Sequence, residues 1–142
     1  MANVQGISTT LLKEALAAKI DGKIAIKAAL YYATASITKD TTAYTATGEV
    51  TGGSYAKQTV TNANSVSLGS SIAYWSPSAN ITWTGVTIGT AFDACMLYDD
   101  DHASDLMLGV FTFGSQTITA GNFTLTVPAH SSGAGLIRLA NA

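Results

Sequence analysis

The densest group of side chains capable of chemistry is Asp99-Asp100-Asp101-His102-Ala103-Ser104-Asp105. Hard cations such as calcium take six to eight oxygen ligands, so Asp99, Asp101 and Asp105 are candidate metal ligands. The run lacks the central glycine and closing glutamate of a helix–loop–helix calcium site. Aspartates also serve turns, because their carboxylates accept from nearby backbone N–H groups. A structural turn is expected, with no metal and no cofactor. The two histidines are His102 and His130. Ser131, His102 and Asp105 could be drawn as a triad, but no Gly-x-Ser-x-Gly elbow is present and a triad is defined by geometry. Gly48 to Gly53 is followed neither by Lys-Ser/Thr nor by a helix, so it does not cradle phosphate. The expectation is a protein that is not an enzyme.

Aromatic residues offer a different chemistry. Tyr31, Tyr32, Tyr44, Tyr55, Tyr74, Trp75 and Trp83 could build a platform for sugar rings, with Trp75 and Tyr74 the first suspects. Large aromatic area is equally useful in a core or at an interface, and that is the expected role of Trp75 and Trp83. Cys95, the single cysteine, rules out an internal disulfide and lies in the apolar run Phe92–Tyr98, where a buried, inert thiol is expected.

These residues sit in a chain of 142 residues, 47% hydrophobic and only 11% charged, with net charge −2. An ordinary domain carries roughly 25% charged residues. Sparse charge lets like molecules associate, which suits a protein packed against others and points to a homo-oligomer. The stretch Lys13–Lys27 interleaves with Leu and Ala rather than with stacking aromatics, so no nucleic-acid partner is expected. No apolar run approaches the roughly 18 residues of a membrane span. Residues Met1–Gly6 have neither the basic nor the apolar region of a signal peptide.

Leu11, Leu12, Ala15, Leu16 and Ile20 recur at helical spacing, with Ser8, Thr9 and Thr10 as caps and Asp21-Gly22 as the stop. Everything after that helix reads as strand and turn. Strands are expected at Lys23–Thr34, Tyr55–Thr61, Val66–Leu68, Ser71–Trp75, Ile81–Ile88 (with a bulge or bend at Gly85 and Gly89), Ala91–Tyr98, Leu106–Phe113, Phe123–Val127 and Leu136–Leu139. Ser36–Gly53 is an excursion loop, and Ala120-Gly121-Asn122 and His130–Gly135 are turns or loops. The pattern predicts a mainly β chain, a β-sandwich of jelly-roll type with a short N-terminal α-helix. Residues 1–10 would form an arm and 11–142 a single domain.

The segment Gly48-Glu49-Val50-Thr51-Gly52-Gly53-Ser54-Tyr55-Ala56-Lys57-Gln58 resembles the GEVSGGSYARQ-like element of a family of small tailed-phage virion proteins. The likeness continues through Trp83, Val86 and Thr87, the apolar strand Ala94–Asp99, the Thr119–Asn122 segment and Leu136–Leu139. Lys57 stands where the family has Arg, and Ile88–Ala91 reads as an insertion. Family members are described as capsid-associated or tail-fibre proteins. The resemblance implies a virion protein assembled in the cytoplasm of a bacterial host; with no repetitive stalk in the sequence, the expectation is a capsid decoration or cement protein on the major capsid protein. The alternative is a tail or fibre component binding a host surface glycan. Candidate contact residues are Val4, Thr42, Tyr44, Trp75 and His130, on the arm Ala2–Thr10, the loops Ser36–Gly53 and His130–Gly135, and the Trp75 strand. Independently of the resemblance, Gly52-Gly53 would let the loop re-enter the sheet sharply, and Tyr55 would bury its ring while its hydroxyl finds a partner.

Overall fold

The computed structural model describes residues 7–140. The chain is mainly β, with one leading helix and two antiparallel sheets. Two compact units form: one from the chain up to Ile24 with Thr61–Asn80 and the segment from Thr126 onward, the other from Ala25–Val60 and Ile81–Leu125.

In the first unit, helix α1 (Thr9–Ile20) lies against a three-stranded sheet ordered β3 (Ser67–Gly69), β4 (Ile72–Trp75), β7 (Ile137–Ala140). Ser8 caps α1 by accepting from the Leu11 N–H at 3.4 Å, and Asp21 ends it, followed by Gly22 at φ +71°. Its inward face is the half-buried Leu12 and Leu16 with the buried Ile20, one turn apart each time. Leu11, expected on that face, is 60% exposed, because it falls one position off the i, i+4 row. Asn62 joins helix to sheet: its amide donates to the carbonyls of Ile20 (2.8 Å) and Lys23 (3.0 Å), while its oxygen accepts from Trp75 Nε1 (2.9 Å).

The second unit is a four-stranded sheet ordered β2 (Gln58–Thr59), β1 (Ile26–Tyr32), β5 (Ile81–Asp99), β6 (Leu106–Leu125). In β1, Ile26 and Ala28–Tyr31 are all buried, which fits a strand packed on both faces. From Ala94 to Asp99, β5 is likewise buried at every position, as the apolar run Phe92–Tyr98 predicts.

The largest departure from expectation lies in β5 and β6. The four short strands expected over Ile81–Tyr98 and Leu106–Val127 are two continuous strands of 19 and 20 residues. A bulge stands at Gly85, one of the two outcomes expected there, and another replaces the turn expected at Ala120-Gly121-Asn122. Gly85, at φ +64°, is the extra residue between the pairs Trp83↔Phe123 and Val86↔Gly121. It shifts the alternation by one, so Trp83 before it and Val86 and Ile88 after it all stay buried. Ala120-Gly121-Asn122 is no turn: Ala120 (φ +46°) is a bulge residue, its N–H donating to Thr87 Oγ1 (3.0 Å), and Asn122 Oδ1 accepts from the Gly85 N–H (2.9 Å). Tyr55–Thr61, expected as a full strand, pairs with β1 at Gln58 and Thr59, and the Val60 N–H donates to the Ile26 carbonyl at 2.8 Å. Trp83 is fully buried, and among the described residues its indole N–H has no acceptor.

Candidate functional site

The Asp99–Asp105 run is the tip of the β5–β6 hairpin, and its polar groups serve the turn. Asp99, 2% exposed, accepts from the Asp101 N–H at 3.2 Å, and the His102 N–H donates to the Asp99 carbonyl at 3.2 Å. His102 Nδ1 accepts from the Ser104 N–H at 3.2 Å. Asp105 adopts φ +46°, and its carbonyl accepts from the Tyr44 N–H at 2.9 Å. Among the described residues no three His, Cys, Asp or Glu side chains gather into a set that could hold a metal ion. Asp101 is exposed.

His102 is therefore engaged within its own loop, while Ser131 belongs to the other unit. His130 instead faces Ser67, with Nε2 3.2 Å from Ser67 Oγ, and its Nδ1 accepts from the Ser76 N–H at 3.2 Å. A backbone N–H can only donate, so the neutral imidazole carries its proton on Nε2 and donates to Ser67. A base poised to activate that serine would need the opposite tautomer. His130 thus fastens the loop to β3 and β4, with its ring edge-on to Tyr74 at 4.9 Å.

Of the other candidate contact residues, Thr42 is exposed at its side chain while its carbonyl accepts from the Met107 N–H at 3.1 Å. Trp75 is 0% exposed and leaves the set, since a ring sealed in the core and tied through Nε1 to Asn62 offers nothing to a partner or a sugar. Val4 lies outside the described residues.

Tyr44 belongs to a cluster that sequence reasoning missed. Glu49, 8% exposed, accepts from two phenols: Tyr44 on one carboxylate oxygen and Tyr55 on the other, the latter at 2.9 Å. Tyr55 also accepts from the Leu30 N–H at 2.9 Å, giving its hydroxyl the partners expected of it. Lys57 Nζ donates to the Tyr44 hydroxyl at 2.9 Å and stands 4.2 Å from the centre of its ring, whose other contact is Tyr98 stacked at 4.7 Å. Burial, then the bond to Glu49, pushes the Tyr44 hydroxyl up to about 12. Burial likewise raises Tyr98 to about 12, and raises Tyr31 and Tyr55 further still, with Glu49 adding to both. Two phenols donating to the two oxygens of one carboxylate make a clasp that joins Tyr44, Glu49 and Tyr55. A glutamate three residues before a Gly-Gly turn gives no sequence signal that it is buried.

The glycines of the same segment hold it in place. Gly48 and Val50 bond to β1 at Tyr32 and Leu30, both at 2.9 Å, and the Thr87 N–H of β5 donates to the Gly53 carbonyl at 2.8 Å. A Cβ on Gly53 would fall 1.8 Å from the Thr87 oxygen, so only glycine fits there. Cys95 is fully buried, and burial pushes its thiol up to about 12.

What remains open is an edge. β6 ends the four-stranded sheet, and among the described residues only the loop around Thr42–Tyr44 reaches its outer side, at Asp105–Met107. From Leu108 to Leu125 the outer side pairs with no described strand. Comparison with protein-family models, with curated proteins and with solved structures finds no match for this chain.

Proposed function

We propose that this chain is a structural component of a tailed-phage virion, a capsid decoration protein that bridges neighbouring major capsid subunits and catalyses nothing. The observation that carries the reading is the outer strand of the hairpin, 20 residues free of charge and proline and open along its outer side from Leu108 to Leu125. Proteins that act alone blunt such edges, whereas assembly proteins use them. The residues that could have worked chemically support the same reading, because Asp99, His102, His130 and Glu49 are each engaged in holding the fold. The phage setting rests on the likeness of Gly48–Gln58 to small virion proteins. The glycan-binding alternative loses its first suspect with Trp75 buried, and Tyr74 is half-covered beside His130.

The test is co-sedimentation of the purified protein with capsid shells of the phage that encodes it, beside a map of the virion. Saturable binding to shells and density on the head are expected. Density confined to the tail, or no binding to shells, would overturn the reading.

A further inference from the structure

We infer that β6 is the self-association edge of this protein, pairing antiparallel with β6 of a second copy across a two-fold axis. The inference rests on the assembly reading above and names its first partner.

The sheet guards its opposite edge. β1 is flanked by Gly48–Val50 and by Gln58–Val60, short pieces interrupted by loop and bearing Lys57 close by. In the other sheet the edge strands are three and four residues long, and β7 carries Arg138. Short, interrupted or charged edges resist pairing with other chains. β6 is long and uncharged, and although bulges at Leu108, Phe113–Ser115 and Ala120 interrupt it, the run Gly109–Thr112 between them is regular and unprotected. No Asp, Glu, Lys or Arg occurs between Asp105 and Arg138. The free stretch Leu108–Leu125 would extend at most roughly 60 Å at about 3.4 Å per residue, less at its bulges.

The occupant follows from charge and symmetry. An antiparallel two-fold pair sets a strand against itself, so any charge on it meets its own copy. An edge without formal charge is compatible with itself and offers no charge for recognising an unlike partner. The side chains agree: Leu108, Val110, Phe111 and Phe113 are only partly buried, whereas their neighbours Ala94–Leu97 on β5 are buried on both faces. A further strand would give β6 the cover that β5 already has. The regular stretch Gly109–Thr112, opposite Leu97–Ala94 and between two register shifts, is the centre of the pair. Two four-stranded sheets would then run on as one.

Sedimentation velocity on the full chain tests this, from about 1 to 100 µM. The wild type is expected to move from monomer to dimer across that range. Thr112→Lys with Gln116→Lys, both at exposed positions, places four lysines at the proposed junction and should leave a monomer throughout. Circular dichroism at the lowest concentration should match the wild type, showing that the variant folds. Hydrogen exchange supplies a readout independent of the variant: Leu108–Gln116 amides should gain protection with concentration while those of Leu30–Tyr32 do not. A wild type that stays monomeric, a dimer that survives both lysines, or protection rising elsewhere would each overturn the inference. Capsid co-sedimentation reports separately: a monomer that binds shells sinks the edge and spares the decoration reading, and a β6 dimer that ignores shells does the reverse.

Discussion

Replacing Gly53 by alanine tests whether the Gly-Gly re-entry is held against β5 as described, because its neighbour provides an internal control. Gly52 and Gly53 both have left-handed backbones, at φ +74° and +58°. A Cβ in that region costs about 1–2 kcal/mol. At Gly52 nothing lies within 4 Å of the added atom, so that is the whole penalty. At Gly53 the atom would stand 1.8 Å from the Thr87 carbonyl oxygen, and the segment must lift away. Lifting breaks the 2.8 Å bond from the Thr87 N–H to the Gly53 carbonyl, a further loss of about 1 kcal/mol. The loss at Gly53 therefore comes to about 3 kcal/mol or somewhat more. For a chain of this size each kcal/mol moves the melting temperature by roughly 3–4 °C. Gly53→Ala should lower it by about 10 °C and Gly52→Ala by about 4 °C, measured by scanning calorimetry in matched buffer. Equal drops for the two variants, or a Gly53→Ala loss no larger than the backbone penalty, would refute the close approach to Thr87.

Glu49→Ala should cost about 2–4 kcal/mol by denaturant unfolding, because it strips the acceptor from two tyrosine hydroxyls; Glu49→Gln, which keeps one acceptor oxygen, should cost less. Cys95 should resist a chromogenic disulfide reagent at pH 8 in the native protein and react fully in denaturant, since burial holds the thiol up at about 12. Tyr44 and Tyr98, both raised to about 12, bind their protons more tightly folded than unfolded. The stability they contribute is complete below pH 10 and falls as pH rises through 12, so absorbance at 295 nm should show their ionisation coinciding with alkaline unfolding.

Residues whose role is set by near neighbours were legible in the sequence. Ser8 and Asp21-Gly22 bound the helix because caps are local chemistry, and Phe92–Tyr98 announced a strand buried on both faces by composition. Tyr55 was expected to find a partner for its hydroxyl, and did. The residues that were not legible depend on distant parts of the chain. Ala120-Gly121-Asn122 has the composition of a turn, and only pairing with Gly85 and Thr87 makes it a bulge. Gly85 read as a bulge or a bend, and it is a bulge, which keeps the strand continuous by resetting its alternation. Glu49 and Asn62 sit in polar surroundings along the sequence, and their burial or bridging follows from which strands are brought beside them. The Asp99–Asp105 run offered two outcomes from one composition, and in the hairpin tip the Asp99 carboxylate accepts from the Asp101 N–H.

The pairing of Ile81 with Leu125 has a bearing on the order in which the chain folds. Trp75 and Ile137 are partners in β4 and β7 although 62 residues separate them. Closing so long a loop directly is slow, whereas β5 and β6 meet across the short tip at Asp100–Asp105. Once that hairpin has zipped to its open end, Ile81 and Leu125 are held together. The flexible path from Trp75 to Ile137 then shrinks to the 6 residues before Ile81 and the 12 after Leu125. Loop-closure entropy scales with the logarithm of length, so the shortening favours the β4–β7 pair by about 1 kcal/mol. The hairpin acts as an internal tether, and the three-stranded sheet is placed to form after it.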